Sequence, residues 1–554
     1  APSGAVPAPG PPATECDVRD LLDRARPGRI VTGRAGAGLL GVALALVLGG
    51  WLLAAPPAAS PDDGYHLGSI WCAGGFEEGV CLDDPGSPEA ARVLVPAPVL
   101  ELACFTYDGS RSAACQLEAL EGSAQRLVPA ETNTDGARPG LYYRTMHLLI
   151  GDGQDVGAAT ARIRVANAAV TLLLVLLTAL LAHPSLRTSF LVSWVIAAVP
   201  LGLFLITSVN TSAWGIAGLT TAWANVVTAR DHPVLRNRVL AGLLAAVGVV
   251  MGLGARTEAV AHVGLIGATL AVLFGWEHLA RTRHDRGRVD RRTTVRLAGI
   301  AGAVIVATIL LVAIAPRSAG LDGIVGDLRA GYDRIAARGV GDPFLSIAFE
   351  VPTLWAGALG NVWGLGALDT PIPSLASFPL MGLFVALLAL GLHAGVRART
   401  VAVSVLFAAL FVFPTFSLLR VGLLVYEQLQ PRQFMVLLFP LLGIALYRMR
   451  GERPFVLGVA GRVTAVLLLT LAHSVALLVT IQRHTSGLLP GFLGEPRHVA
   501  FGRELEWWWA SAPSPDAVWA IASLAYLIVV ALVFRLTSSA VAERTTEGAR
   551  AQPA

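Results

Sequence analysis

Apolar and polar positions in this chain alternate in long blocks, not with the short periods of a soluble helix or strand. Uninterrupted apolar runs of roughly 17–25 residues can cross a bilayer as helices, and twelve such segments are read here. They lie near 36–55, 165–182, 189–208, 213–229, 239–254, 259–277, 297–315, 377–395, 400–418, 432–449, 461–481 and 515–535. Those at 213–229 and 239–254 are short and are expected to tilt or to pack as a pair. The pattern predicts an all-α polytopic membrane protein with about 12 transmembrane helices. Its transmembrane domain covers 36–535, between tails at 1–35 and 536–554 whose Pro, Ala, Gly and charge content predicts disorder. No repeat at solenoid spacing and no soluble catalytic domain interrupts the pattern.

Composition agrees. Of 554 residues, 54% are hydrophobic and 14% charged, with mean hydropathy +0.63, against about 25% charged in soluble domains. The net charge of +4 does not indicate a nucleic-acid partner, because the arginines cluster in short loops between apolar segments. Arg19, Arg24, Arg26, Arg29 and Arg34 precede the first segment. Later groups are Arg230, Arg236 and Arg238; Arg281, Arg283, Arg286, Arg288, Arg291 and Arg292; Arg397 and Arg399; and Arg448, Arg450 and Arg453. All fall on one side if the chain starts in the cytoplasm and crosses an even number of times, so both termini are expected in the cytoplasm of a bacterial plasma membrane protein. Two large outward segments follow, 56–164 and 316–376, and a smaller one near 482–514 carries Trp507, Trp508 and Trp509, suited to the headgroup level. The apolar run before Ala-Ala-Pro-Pro-Ala-Ala-Ser is too long for a signal-peptide core, so it is read as a retained span.

Four of the five cysteines lie in the first outward loop, with Cys16 alone in the N-terminal tail. An even number in an oxidising compartment reads as disulfides, and the short local loops favour Cys72–Cys81 and Cys104–Cys115. Free thiols are the plain alternative; a zinc site lacks the usual ligand spacing.

The stretch Pro61-Asp62-Asp63-Gly64-Tyr65-His66 sets two carboxylates and an imidazole just past the first span. Ionisable groups at a membrane boundary are costly to desolvate and point to a functional site. Asp62 is the natural N-cap of a helix starting there, leaving Asp63 as the better candidate for a base, with His66 on the same helical face. Partial burial would raise the carboxylate pKa; capping and loop hydrogen bonds are the alternative role. Arg256 and Glu258 stand in a very short outward turn, where Arg256 suits a phosphate or a local ion pair with Glu258. Glu427, Arg432 and Gln433 open another crossing, and Arg432, like Arg420, either binds phosphate or snorkels to headgroups. Trp363 and Asp369 lie in a turn-rich stretch that reads as re-entrant, suited to sugar stacking and to hydroxyl or cation binding, or to packing. Tyr142 and Tyr143 have the same double reading. A divalent Mg or Mn ion is compatible with these carboxylates, although no spacing requires one. Asn210-Thr211-Ser212 matches a glycosylation acceptor pattern and is given no weight. There is no phosphate-cradling Gly-x-x-x-x-Gly-Lys loop and no dinucleotide fingerprint, which argues against ATP-driven or soluble nucleotide-sugar chemistry.

Pro61-Asp62-Asp63-Gly64-Tyr65-His66 resembles the Pro-Asp-Glu/Asp-x-x-His signature of an actinobacteria-rich family of polytopic membrane proteins, domain of unknown function 2142. Gly360-Asn361-Val362-Trp363-Gly364 followed by Leu368-Asp369-Thr370-Pro371-Ile372-Pro373 is similar to that family's Gly-x-x-Gly-Trp-Leu-Asp-Thr-x-x-Pro pattern, with Gly360 to Gly364 departing from it. Gln430-Pro431-Arg432-Gln433-Phe434 to Pro440 is similar to its Gly-Arg-Tyr-x-x-Pro pattern, with Gln433 in place of the aromatic. The family is in turn similar to GT-C glycosyltransferases. That resemblance implies a polyprenyl-phosphate sugar donor, a glycan or lipid acceptor of the cell envelope, Asp62 or Asp63 as general base, and Arg256 or Arg432 at the lipid phosphate. Fold does not dictate function, so a transporter or flippase for envelope glycan or lipid, and a non-catalytic envelope scaffold, stay open beside the transferase.

Overall fold

A computed structural model describes residues 34–84, 86, 92–121, 126–284, 321–393, 397–427, 429–449, 452, 455–490, 496–499, 504–509 and 511–538. The expected span at 297–315, most of both tails and the arginines at 286–292 lie outside the described residues.

The chain opens with α1 (Arg34–Ala54), then forms a loop domain. That domain contains α2 (Asp63–Trp71), β1 (Leu82–Asp83), β2 (Arg92–Pro96), α3 (Ala97–Glu101), α4 (Cys115–Glu121), β3 (Leu127–Glu131) and α5 (Leu141–His147). The bundle resumes with α6 (Val156–Leu181), α7 (Pro184–Ala197), α8 (Leu201–Ile206), α9 (Ser212–Asp231), α10 (Leu235–Ala255) and α11 (Ala259–His284). Beyond lie α12 (Leu321–Ala336), α13 (Pro343–Ala358), α14 (Ser374–His393), α15 (Arg397–Val421), α16 (Met435–Leu446) and α17 (Val459–Ser486). A short β4 (Leu488–Pro490) and β5 (Pro496–Val499) precede α18 (Pro515–Arg535).

Eight helices among the described residues are long and apolar enough to cross a membrane: α1, α6, α10, α11, α14, α15, α17 and α18. Each matches an expected segment. The remaining expected segments within the described residues take other forms. Residues 189–208 divide into α7 and α8 around Pro200, whose ring cannot continue a helix. Residues 432–449 become a 3₁₀ turn (Pro431–Gln433) followed by the 12-residue α16. Helix α9 is 20 residues long but carries Thr220, Thr221, Asn225 and Thr228, all buried among its neighbours. Helix α6 begins at Val156, before the expected boundary, so Arg164 stands inside it.

The loop domain also departs from an all-α reading. Its strands form an antiparallel sheet in the order β1-β2-β3, with Val95 opposite Val128. Strands of two to five residues are too short to leave a readable alternation. Val93, Val95 and Ala130 of the sheet join Leu67, Ile70 and Trp71 of α2 and Tyr142, Tyr143 and Met146 of α5 in a core separate from that of the bundle. The Trp71 indole N–H donates to the Gly153 carbonyl at 3.1 Å. Both expected disulfides are present, Cys72–Cys81 and Cys104–Cys115, with Cα atoms 5.2 and 6.3 Å apart. The Trp507–Trp509 cluster turns inward: Trp508 is buried, and Trp509 donates to the Leu53 carbonyl at 3.0 Å.

Two buried side chains position the junction between α1 and the loop domain. Arg164 is fully buried, and its guanidinium donates to the carbonyls of Leu52, Ala55 and Thr207 at 2.6–2.7 Å. It thereby satisfies the acceptors left open where α1 ends. Asn210 is also fully buried; its amide donates to Pro61 O at 2.9 Å and Ser60 Oγ at 3.2 Å, while its Oδ1 accepts from Ser212 N. The glycosylation-like Asn210 is thus a bracket between the acidic turn and the start of α9. Helices α9 and α10 approach backbone to backbone at Gly218 and Gly248, where a Cβ on either would strike the other's chain. Small residues permit such close crossings between membrane helices.

Candidate functional site

The acidic turn is built around Asp62, whose φ of 65° and ψ of 14° place it in the left-handed region. Asp tolerates this conformation better than most residues, at a cost that tends to be stored at functional sites. Asp62 occupies the N-cap position of α2, yet its side chain makes no cap hydrogen bond. The expected cap hydrogen bond from Asp62 is therefore absent, and the two carboxylates diverge. Asp62 turns outward, its side chain 38% exposed, and accepts from Arg432 Nη2 at 2.6 Å. Asp63 turns inward, 3% exposed, and accepts from Ser60 N at 3.0 Å and from Ser60 Oγ. Burial pushes the Asp63 carboxyl up to about 7, against the hydrogen bonds of Ser60 and the charges of Arg164 and Arg432.

Arg432 is buried on the 3₁₀ turn and reaches across to the acidic turn, donating also to Pro61 O at 3.0 Å. It binds a carboxylate instead of extending toward headgroups. Its Nε is buried without a hydrogen-bond partner among the described residues. Burial, and next the like charge of Arg256, lower the Arg432 pKa. Arg256, the C-cap of α10, forms the local ion pair with Glu258, Nε to Oε1 at 2.7 Å, and donates to Ser212 Oγ at 3.0 Å. Burial pushes Glu258 upward, but the charge and hydrogen bond of Arg256 outweigh it and hold the carboxyl below its usual range.

Asp62, Arg256, Glu258 and Arg432 line one cleft of about 520 Å³ with Arg138, Thr211, Thr257, Glu427, Gln430 and Gln433. Three guanidinium groups thus face three carboxylates. Glu427 is engaged from behind by Arg338 at 2.6 Å and accepts from Leu424 N. Gln433 accepts from Gln430 N at 2.9 Å and so shapes the turn that carries Arg432. Arg138 is exposed; its guanidinium lies 4.5 Å over the Tyr65 ring.

Other expected site residues stand apart from the lining. His66 is fully buried behind the turn, its Nδ1 3.0 Å from the Tyr143 hydroxyl, and burial holds its pKa well below the ordinary histidine value. Tyr142 is buried and accepts from Asn167 at 3.1 Å. Trp363 stacks on Tyr426, with ring centroids 5.1 Å apart, and is 7% exposed. Asp369 is engaged by the buried Arg483 at 2.6 Å, and Arg420 by Asp327 at 3.2 Å. Among the described residues there is no group of three or more His, Cys, Asp or Glu side chains placed to hold a metal ion.

Sequence reasoning missed Arg138, Thr211, Gln430 and the supports Arg164, Asn210 and Arg338. Arg138 carried the signal that singled out Arg256: an arginine outside the loops where arginines concentrate. Thr211, Arg164, Asn210 and Arg338 take their place from partners 43 or more residues away.

Fold and cleft together define a multi-pass helical membrane protein with a charged site where its spans meet a disulfide-bonded loop domain. The chain belongs to the predicted membrane protein family DUF2142, whose family model matches residues 44–441. No curated protein and no solved structure matches it.

Proposed function

We propose that this chain is a membrane-embedded glycosyltransferase of GT-C type that takes its sugar from a lipid-linked phosphate, with Asp62 as the general base. The observation that carries the reading is the meeting of Asp62 with Arg138, Arg256 and Arg432 in one cleft beside α10 and α11. Guanidinium groups suit a phosphate ester, which they can grip with paired donors and whose departing charge they stabilise. The acceptor hydroxyl oxygen attacks the anomeric carbon as the bond to the phosphate oxygen breaks. The bonding pair leaves with the phosphate, and the hydroxyl proton passes to Asp62. In the free protein Arg432 grips the Asp62 carboxylate. A donor phosphate competes for that guanidinium and frees the Asp62 carboxylate to take the hydroxyl proton once the substrate is seated.

The test is transfer from radiolabelled polyprenyl-phosphate sugars by the full chain in proteoliposomes, with envelope glycan or lipid extract as acceptor. Asp62→Asn is expected to lower turnover by about 10²–10⁴-fold, the usual worth of a general base. Arg432→Gln is expected to raise the donor KM, while Asp63→Asn keeps turnover. Full activity in Asp62→Asn would refute the assignment, and movement of the lipid across the bilayer without transfer would replace it with a flippase.

A further inference from the structure

A second hollow of about 580 Å³ opens on the loop domain and shares Arg138 with the cleft just described. Phe76, Asn133, Thr134, Tyr143 and Arg144 also line it, and among the described residues its lining contains no aspartate or glutamate. Phe76 is 63% exposed. A large aromatic ring outside the spans is normally buried, yet this one is held out by its surroundings. It lies inside the loop closed by Cys72–Cys81 and directly follows Gly75, whose φ of 104° favours glycine. The opposite wall is equally fixed. Asn133 accepts from Arg138 N at 2.7 Å and donates to Arg138 O at 2.9 Å, and Tyr143 is braced by His66.

We propose that this hollow binds an anionic glycan, and, on the transferase reading, that it seats the acceptor. Two guanidinium groups without a carboxylate in the lining select for negative charge. An exposed aromatic face offers a flat apolar platform for the C–H face of a sugar ring, while amide and hydroxyl groups take its hydroxyls. A chain lying there reaches the first cleft past Arg138, which places its end beside Asp62.

Binding is measured without turnover, so its outcome is separate from that of the transfer assay. Detergent-purified full chain is titrated calorimetrically with pentagalacturonate, with maltopentaose as the uncharged control. The acidic probe is expected to bind saturably and at least tenfold more tightly than the neutral one. Phe76→Ala and Arg144→Gln should each weaken it about tenfold, the worth of one good stacking or charged contact. Both residues are exposed, so the melting temperature should hold, and Phe349→Ala, a remote exposed aromatic, should change nothing. Equal affinity for both sugars, absence of saturable binding, or full binding by the Phe76→Ala/Arg144→Gln double variant would overturn the proposal.

Discussion

Two adjacent aspartates are chemically identical in the sequence and opposite in the fold. Asp63, buried, with its carboxyl pushed up to about 7 from an ordinary 3.8, keeps its proton across a pH range in which the unfolded chain has released it. The native state therefore binds more protons between about pH 4 and 7, and stability falls as pH rises through that window, levelling above it. Thermal unfolding of the detergent-solubilised protein from pH 5 to 8 should show this decline, and Asp63→Asn should flatten it. Asn210→Ala should lower stability by about 1–3 kcal/mol, because it strips buried partners from Ser60, Pro61 and Ser212; denaturant unfolding measures the difference. The sequence expects Asp62 to cap the helix and Asp63 to face a cavity, whereas in the fold Asp62 faces the cleft and Asp63 is buried beneath it. The left-handed backbone at Asp62 and the reach of Arg432 from 370 positions away decide which carboxylate faces out, and neither is a local property.

Among the elements, apolar run length located every helix that qualifies as a span within the described residues, because the bilayer imposes that length directly on the sequence. Two expected segments take a form that run length does not describe: α9 buries threonines and an asparagine against neighbouring helices, and α16 is 12 residues long. The α9–α10 pair matters most for the cleft. Ser212 starts one helix, Arg256 caps the other, and the Gly218–Gly248 crossing sets the distance between them. Gly248→Val should force the helices apart and cost about 1–3 kcal/mol or more, on the scale of other overpacked contacts. It should also loosen Arg256 from Ser212, so that donor affinity falls together with melting temperature. The same substitution at Gly267, where a Cβ would meet nothing within 4 Å, should leave both unchanged.

For the molecule as a whole, the arrangement of arginine-rich loops predicts the side on which each end lies. Cys16 is the one cysteine outside the two disulfides, so a membrane-impermeant maleimide should label it only after intact cells are permeabilised. Labelling of intact cells would invert the topology. Arg483, at the far end of α17, has a consequence for biosynthesis. Its guanidinium donates to the carbonyls of Phe105, Asp108 and Arg111 and pairs with Asp369, while Ala113 N donates to His484 O. A ribosome must therefore travel 372 residues beyond Arg111 before the Cys104–Cys115 loop meets the donor that completes it. Until then three carbonyls of an early segment wait for a late one, and a nascent chain arrested before α17 should be cut by protease between residues 104 and 115, where the finished protein resists.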